Sequence, residues 1–356
     1  MTDTQVAAAV SAHAEVTFHR HGTVGRIVLN RPKALNALTT PMIEALHRCL
    51  NQWECDPGSV LVLESSSPKA FCAGGDIRAI RQNSVEGRHH ESISFFTNEY
   101  ALNARLAELQ TPVVSLIDGI CMGGGLGLSV HGAFRVLTER AVLAMPETAI
   151  GFFPDVGASY FLSRLPGALG TFIGLTGYRL DTADALYTGL GTHIVADATT
   201  VASALAQQDR SVDEVLRNMA PAPPHDVPPS RLASHRAEID HCFGQTSVAG
   251  IRSRLEELAG RPWARDALAA LDAASPLSLE VTLAAVTAGK QLSLRQCLAM
   301  ELKISSQLIR SHDFIEGVRA MLVDKDRSPH WADPGAEQFD FAAAGLWNPA
   351  VTAAAR

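Results

Sequence analysis

The sequence predicts an α/β fold followed by a mainly helical C-terminal region. Strand-like and helix-like segments alternate as far as about Thr199, and the apolar residues of that part recur with strand and helix periods. Beyond it, Ala, Leu and charged residues dominate with helical spacing. With 356 residues, 47% hydrophobic and 19% charged, the chain can bury a large core.

The first predicted unit consists of two strands, a helix and a third strand. The segments VTFHR, GRIVLN and VLVLES have the composition of strands. Between the last two, a helix is predicted from Thr40 to Trp53, with Thr39 or Thr40 as N-cap and Pro41 in the first turn. Its apolar residues recur at three- and four-residue steps: Met42, Ile43, Leu46, Leu50 and Trp53.

A second unit repeats the alternation of strand and helix. It contains FCAGGD after a strand, a helix around Glu99 to Gln110, and the buried strand PVVSLIDG. A glycine cluster, a helix ending at His131 and the strand FRVLTER follow. His89 and His90 are assigned to a polar loop.

We predict a domain boundary near residue 200. The division is a flexible N-terminus (1–14), an α/β core (15–200) and a helical region (201–345). The Pro-rich stretch PAPPHDVPPS (221–230) is interpreted as a connector, and helical periods persist from Arg231 to Val323.

Charge and composition exclude several classes of partner. The net charge of −7, without a long basic run, predicts neither nucleic-acid nor membrane binding. Six scattered cysteines without a CxxC pair and thirteen histidines without a ligand spacing predict no metal site and a reducing compartment. The first fifteen residues fit neither a secretory signal nor a transit peptide, and no apolar run reaches transmembrane length, so the expected location is cytoplasmic.

Two glycine-containing loops are candidates for binding partial negative charge. AFCAGGD (70–76) and MGGGLG (122–127) each follow an apolar strand and lead into a helical pattern, which exposes backbone N–H groups. Two such groups facing one oxygen would form an oxyanion hole, whereas the alternative is close packing of helix on strand. Neither loop has the GK[ST] of a P-loop or the GxGxxG of a dinucleotide site.

Carboxylates in apolar surroundings are the candidate acid–base groups. Glu147 and Asp155 lie in MPETAIGFFPDVGASY, and burial would raise their pKa values, although structural ion pairs perturb pKa values too. Glu99, in FFTNEY, also borders aromatic residues, but the commoner fate of a lone Glu is a helix surface. For His131, a partner of a helix C-terminus is favoured over a base.

Taken together, six stretches resemble the crotonase (enoyl-CoA hydratase/isomerase) superfamily, and within it the 3-hydroxyisobutyryl-CoA hydrolases. They are LNRPKALNALT, AFCAGGDI, GICMGGGLGLSVHG, MPETAIGFFPDVG, LTGYRLDTADALYTGLGTHIV and DFIEGVRAMLVDKDRSPHW, in the family's order. The resemblance implies a crotonase-type spiral of strand-strand-helix repeats followed by C-terminal helices, and an acyl-CoA thioester as substrate.

The resemblance also implies roles for individual residues. Gly75 and Gly124 match the two N–H donors that hold the thioester carbonyl oxygen. Hydratases of the superfamily use two glutamates, and the position of the first is Gly127 here, so only Glu147 remains. The hydrolase subgroup matches at Glu99, Glu147 and Asp155, which implies substrate binding by these acids and catalysis by Glu147 and Asp155.

The expected function is hydrolysis of a β-hydroxyacyl-CoA, with 3-hydroxyisobutyryl-CoA in valine breakdown as the leading substrate. The resemblance implies no metal or redox cofactor and leaves a homo-oligomer open. An enoyl-CoA hydratase or isomerase is the first alternative, and a non-catalytic crotonase-fold binding subunit the second. Two departures bear on the substrate: Ala158 and Ser159 replace glycines and would narrow the acyl pocket, and a long helical segment (about 205–275) could cover the site.

Overall fold

A computed structural model describes residues 14–207, 210–220, 229–333 and 339–346. Except for Ala14, the predicted flexible N-terminus lies outside the described residues, and so does the Pro-rich connector except for its last two residues. The proposed division near residue 200 stays a prediction.

The strands of the described part form two sheets. The larger has the order β1-β2-β3-β5-β7-β9, and its strands are Val16–His21, Val24–Leu29, Val60–Ser65, Val113–Ile117, Phe134–Leu137 and His193–Ile194. The smaller has the order β4-β6-β8, with strands Ala70–Cys72, Ile120–Met122 and Val142–Ala144. Only β1 and β2 pair antiparallel; the other pairs are parallel.

Successive repeats of the chain build both sheets together. The first strand of each repeat (β3, β5, β7) joins the six-stranded sheet, and the second (β4, β6, β8) joins the three-stranded sheet. A helix or 3-10 turn then returns the chain to the start of the next repeat. This spiral of strand-strand-helix repeats, followed by helices, confirms the predicted α/β fold class.

Both faces of the large sheet are buried at its central strands β3 and β5, as expected for parallel strands. Alternate residues of β3 show this: Leu61 and Leu63 belong to the main core, whereas Val60 and Val62 belong to a second apolar cluster on the opposite face. That second cluster is completed by α8 (Val201–Ala206) and α9 (Val212–Asn218).

The helices of the spiral confirm the first predicted helix and correct the second. Helix α1 (Thr40–Cys55) is capped by Thr39, whose side chain accepts a hydrogen bond of 3.3 Å from the Met42 N–H. Helix α3 begins at His89 and ends at Glu108, so the prediction that His89 and His90 lie in a loop was wrong. The buried face of α3 includes the polar residues Ser92, Glu99 and Asn103. Because they interrupt the apolar residues of that face, the sequence does not show a regular helical period there.

The remaining helices of this part are short. They are α2 (Ile77–Val85), α4 (Gly124–Ser129), α5 (Ala158–Leu162), α6 (Leu169–Thr176) and α7 (Thr182–Thr188). Helix α4 therefore ends before His131, where the sequence placed its end.

Six further helices confirm the predicted helical region from Arg231 onward. They are α10 (Arg231–Phe243), α11 (Val248–Glu257), α12 (Pro262–Ala273), α13 (Pro276–Gly289), α14 (Leu294–Leu308) and α15 (His312–Val318), which continues as a π-helical turn, Arg319–Val323. Helices α10 and α12 pack on α6, whereas α13 packs on α5 and α6 and α14 on α3. Among the described residues, only α12 and α13 taken together, with a bend of 112°, have the length and apolar composition to cross a bilayer, and no helix has them alone.

Candidate active site

Three of the predicted site stretches meet at one edge of the small sheet. Gly75 follows β4, Gly124 follows β6 and Glu147 follows β8, and these strands are parallel neighbours with β6 in the middle. The carboxyl ends of parallel strands lie at the same edge, where α/β proteins commonly bind ligands. The sheet order therefore explains why stretches far apart in the sequence form one site.

The two glycines present neighbouring backbone N–H groups. A Cβ atom on Gly124 would lie 3.4 Å from the backbone N of Gly75 and 2.5 Å from Oε1 of Glu99, so a side chain does not fit without displacing that carboxyl. Gly124 is the first residue of α4, where N–H groups lack helical partners. In the part of the chain that the structure describes, neither N–H donates to a carbonyl or a side chain.

Glu147 is the first residue of the 3-10 turn Glu147–Ile150, and its side chain points toward the glycine loop that contains Gly123 and Gly124. Its Oε1 is 2.7 Å from the point that a Cβ on Gly123 would occupy, and its Oε2 is buried without a hydrogen-bond partner among the described residues. Burial raises the pKa of Glu147 well above its ordinary value, and the nearby Asp155 and Glu99 raise it further.

Glu99 is a core residue rather than a helix-surface acid. It lies in the middle of α3 with only 2% of its surface exposed, and no described residue forms a hydrogen bond with its Oε1. Burial, and then the charge of Asp155, raise its pKa well above the usual range. The expectation from residue frequencies was wrong because Glu99 lies on the face of α3 that is buried, and α3 packs on α4 and α14.

Asp155 lies on a loop between the 3-10 turn and α5. The next residue, Val156, has a φ of 55°, and Gly157 has a φ of 87°, so the chain turns sharply behind the carboxyl group. The Tyr100 hydroxyl donates a 2.6 Å hydrogen bond to Asp155 Oδ2. Burial raises the pKa of Asp155 to about 7, although this hydrogen bond opposes the increase.

A fourth buried acid, Glu301 on α14, was missed by the sequence reasoning. Its carboxylate accepts hydrogen bonds from the N–H of Gly157 (2.6 Å), the N–H of Ser159 (2.9 Å) and the hydroxyl of Ser159 (2.6 Å). Burial raises its pKa to about 8. The available signal was an acid inside the buried helical spacing of α14, at Cys297, Glu301, Ile304 and Leu308. The Ser159 hydroxyl, at a position where the family usually has glycine, is thus bonded to Glu301.

His131 does not act as a cationic partner of a helix end. Burial lowers its pKa to about 4, so the ring is neutral at neutral pH. Its Nε2 is 2.8 Å from the carbonyl oxygen of Val156, and since a carbonyl only accepts, Nε2 carries the proton. The ring instead supports the loop that carries Asp155.

The position equivalent to the first hydratase glutamate is closed by packing. A Cβ atom on Gly127 would lie 2.6 Å from Cβ of Val156 and 3.0 Å from Nδ2 of Asn103. The backbone and these neighbours leave no space there for a carboxylate side chain.

The four acids have no basic counterpart in the part of the chain that the structure describes. None of Glu99, Glu147, Asp155 and Glu301 forms a salt bridge with Lys, Arg or His within the described ranges. No group of three or more His, Cys, Asp or Glu side chains there is arranged to hold a metal ion. The predicted absence of a cofactor stays a prediction.

A separate cavity of about 360 Å³ lies between α6, α10 and α12, away from these residues. Its lining includes Phe172, Tyr178, Arg231, His235 and Trp263, and none of the predicted site residues. In the long segment that was expected to cover the site, α10 and α12 pack on α6, whereas α9 completes the second apolar cluster on the large sheet.

Comparison with known proteins identifies relatives over nearly the whole chain. The family model for enoyl-CoA hydratase/isomerase matches residues 24–344. The chain is 43% identical to the human mitochondrial 3-hydroxyisobutyryl-CoA hydrolase over 331 residues, which cover 90% of this chain and 84% of that protein. It is 39% identical to a probable 3-hydroxyisobutyryl-CoA hydrolase from Arabidopsis thaliana, covering 90% of this chain and 88% of the relative.

Solved structures agree with the fold. The crystal structure of an enoyl-CoA hydratase from Rhodobacter sphaeroides has a TM-score of 0.82 and 37% identity, covering 95% of this chain and 98% of that one. A carnitinyl-CoA dehydratase from Mycobacterium thermoresistibile has a TM-score of 0.83 and 37% identity, covering 94% and 96%.

One prediction from the sequence is overturned by these relatives. The expected cytoplasmic location was wrong, since the human, mouse and chicken relatives are all named as mitochondrial proteins. Composition says little about compartment, because an address is read by a receptor and leaves the fold unchanged.

Proposed function

The chain belongs to the enoyl-CoA hydratase/isomerase family, and from this premise we propose that it hydrolyses 3-hydroxyisobutyryl-CoA to 3-hydroxyisobutyrate and free coenzyme A. One observation about the two acid positions carries the proposal. Glu147 has a buried carboxyl oxygen without a hydrogen-bond partner among the described residues, whereas packing around Gly127 leaves no space for a second glutamate. One acid at a thioester is sufficient for hydrolysis, whereas hydration of a double bond in this family uses two. The names of the relatives support the acyl group, and the reaction would then belong to valine breakdown.

In this proposal the N–H groups of Gly75 and Gly124 bind the thioester carbonyl oxygen. Neither N–H group has an acceptor among the described residues, and the two groups lie next to each other, as two donors to one oxygen must. Negative charge develops on that oxygen as the carbonyl carbon becomes tetrahedral, and two preorganised donors in a site shielded from water stabilise it by several kcal/mol.

Glu147 then attacks the carbonyl carbon or deprotonates the water that attacks it. In the first route its carboxylate displaces the CoA thiolate and forms an anhydride, which water hydrolyses. In the second, water adds directly and Glu147 takes its proton. Hydroxylamine distinguishes the routes, because it converts an anhydride at Glu147 into a hydroxamate that is visible in a peptide mass, whereas direct attack by water leaves Glu147 unmodified.

Asp155 and Glu99 have supporting roles in the proposal. Asp155 takes up the proton that the water loses, directly in the first route and from Glu147 in the second, and gives it to the departing thiolate, for which its pKa of about 7 is suitable. Glu99 accepts a hydrogen bond from the 3-hydroxyl of the substrate, since its free Oε1 lies beside Gly124. The scheme uses no metal and no redox cofactor.

The test is a panel of CoA esters assayed for both thiol release and loss of enoyl absorbance. The wild type should release thiol from 3-hydroxyisobutyryl-CoA, and Glu147→Gln should lose at least about a hundredfold of that rate. Glu280→Gln, at a half-buried position on α13, is the matched control and should keep it. Absence of thiol release by the wild type, or an unimpaired Glu147→Gln variant, contradicts the proposal.

The same panel decides the alternative of hydration. Similarity to solved structures titled as a hydratase and a dehydratase favours that alternative. It predicts that crotonyl-CoA loses its enoyl absorbance without release of thiol, and that 3-hydroxyisobutyryl-CoA is left intact.

A further inference from the structure

Behind Asp155 lies a buried row of hydroxyl groups that the reaction scheme does not use. The Tyr100 hydroxyl is 2.6 Å from Asp155 Oδ2 and 2.7 Å from the Ser305 hydroxyl. The Ser305 hydroxyl is in turn 2.9 Å from the backbone carbonyl oxygen of Glu301. Tyr100 is 4% exposed and Ser305 is fully buried, so bulk water does not compete for these bonds.

The hydrogen bonds of this row can run in two directions, depending on whether Asp155 is protonated. Each hydroxyl has one proton but two neighbours, and the carbonyl at the far end can only accept. When Asp155 is ionised, Tyr100 must donate to it, and Ser305 then donates to Tyr100. When Asp155 is protonated on Oδ2, it donates to Tyr100, which donates to Ser305, which donates to the Glu301 carbonyl.

We propose that Tyr100 and Ser305 are positioning residues that form a reversible hydrogen-bond relay, which turns its direction each time Asp155 gains or loses a proton. The inference rests on the proposed function, in which Asp155 takes up the proton that the water loses and gives it to the CoA sulfur. Only two hydroxyl hydrogens rotate, so no heavy atom has to move. Asp155 keeps a hydrogen bond in both of its states.

The surroundings of Asp155 make this relay necessary. The titratable groups that face it are Glu99 on α3, Glu147 on the 3-10 turn and Glu301 on α14, with neutral His131 bonded to the neighbouring Val156. None of them is a cation that would stabilise ionised Asp155, and burial raises the pKa of Asp155. The Tyr100 hydroxyl is the side-chain donor that the described residues offer to the Asp155 carboxylate.

The relay predicts opposite effects for its two members. Tyr100→Phe removes the donor to ionised Asp155, so the pKa that governs the acid limb of the pH–rate profile should rise by about one unit or more. Ser305→Ala leaves Tyr100 without an acceptor when Asp155 is protonated, which penalises the neutral state and should lower the same pKa. In both variants kcat should fall by about tenfold or more while KM changes by less than about threefold.

The experiment is a set of pH–rate profiles for thiol release from 3-hydroxyisobutyryl-CoA. Tyr178→Phe is the matched control, because Tyr178 also donates to a carboxylate, Asp184, at 2.8 Å but outside the site. Ser306→Ala is the second control, because the Ser306 hydroxyl donates to a backbone carbonyl one turn back on the same helix, at 2.7 Å. Both controls should keep the wild-type profile.

Shifts of opposite sign in Tyr100→Phe and Ser305→Ala support the relay, whereas shifts of the same sign, or none, overturn it. Thermal melts identify a variant that does not fold. If Tyr100→Phe does not fold, the Ser305→Ala profile alone tests the relay: a lowered pKa of its acid limb supports the relay, and an unchanged or raised pKa overturns it. Asp155→Asn, measured alongside, separates the two proposals. A wild-type rate in Asp155→Asn refutes the proposed role of Asp155, while a large loss there with unshifted relay variants refutes the relay alone.

Discussion

Val156 packs directly against Gly127, so that a Cβ atom on Gly127 would lie 2.6 Å from Cβ of Val156. Val156 itself has a left-handed φ of 55°, which is unusual for a β-branched residue and persists only when the surrounding structure imposes it. The loop that carries Asp155 therefore occupies the space in which a second acid of a hydratase would have to stand.

This packing predicts that a glutamate at position 127 does not create a hydratase. Gly127→Glu should lower the melting temperature, because Val156 or Asn103 must move, and it should not consume crotonyl-CoA. Gly260→Glu is the control, since a side chain at Gly260 would meet nothing within 4 Å. A stable Gly127→Glu variant that hydrates crotonyl-CoA contradicts the argument.

The proposed oxyanion hole predicts a rate effect for a single methyl group. In Gly124→Ala the added Cβ would lie 2.5 Å from Oε1 of Glu99 and beside the Gly75 N–H, where the carbonyl oxygen must bind. We expect kcat for thiol release to fall about a hundredfold with little change in melting temperature, since the nearest atom belongs to a movable carboxyl group. Gly260→Ala should leave both quantities unchanged, and a wild-type kcat in Gly124→Ala would exclude the hole from this position.

The position of Glu99 predicts a change in substrate preference. In Glu99→Leu the ratio of kcat/KM for 3-hydroxyisobutyryl-CoA to that for isobutyryl-CoA should fall by about ten- to a hundredfold, because the acceptor for the 3-hydroxyl is lost. Glu280→Leu on α13 should preserve the ratio. If both substrates slow equally in Glu99→Leu, the side chain serves the reaction or the fold instead of the hydroxyl.

The acid cluster predicts how activity depends on pH. Asp155 and Glu147 both react in the ionised form, and burial raises both pKa values, that of Asp155 to about 7. The value of kcat/KM should therefore fall as the pH is lowered through about 7, rather than near the ordinary value of 3.8. A profile that stays flat down to pH 5 would show that Asp155 is ionised throughout or is not required.

Stability should depend on pH in the opposite direction. The pKa of Glu301 is raised from 4.5 to about 8 in the folded protein, so between these values the folded state binds more protons than the unfolded state. Its stabilising contribution is complete below about pH 4.5 and is lost as the pH rises through about 8, a change of a few kcal/mol.

Melting temperatures across this range test the assignment to Glu301. Glu301→Gln should flatten the fall between pH 5 and pH 8, since the titrating group is gone. Ser159→Ala, which removes one hydrogen bond to Glu301 but leaves its carboxyl group, should keep the fall. Equal slopes in the wild type and Glu301→Gln would assign the dependence to other groups.

Patterns that are local in the sequence predicted most of the fold. The apolar period of α1 with its Thr39 cap, the strand segments and the two glycine loops each depend on neighbours within a few residues, and the structure has them where they were expected. The order of the six stretches identified the family and hence the spiral. The same reasoning named Gly75, Glu99, Gly124, Glu147 and Asp155 as the residues to examine.

Only the tertiary structure decided which polar residues are buried and what holds them. The start of α3 was missed because Ser92, Glu99 and Asn103 interrupt the apolar period of a face that is buried nevertheless. Glu301 was missed because its partners, Gly157 and Ser159, lie more than 140 residues earlier in the chain. Apolar periodicity records burial by hydrophobic area, whereas a buried acid is tolerated only through hydrogen bonds from donors that the fold brings close, and no local pattern encodes that meeting.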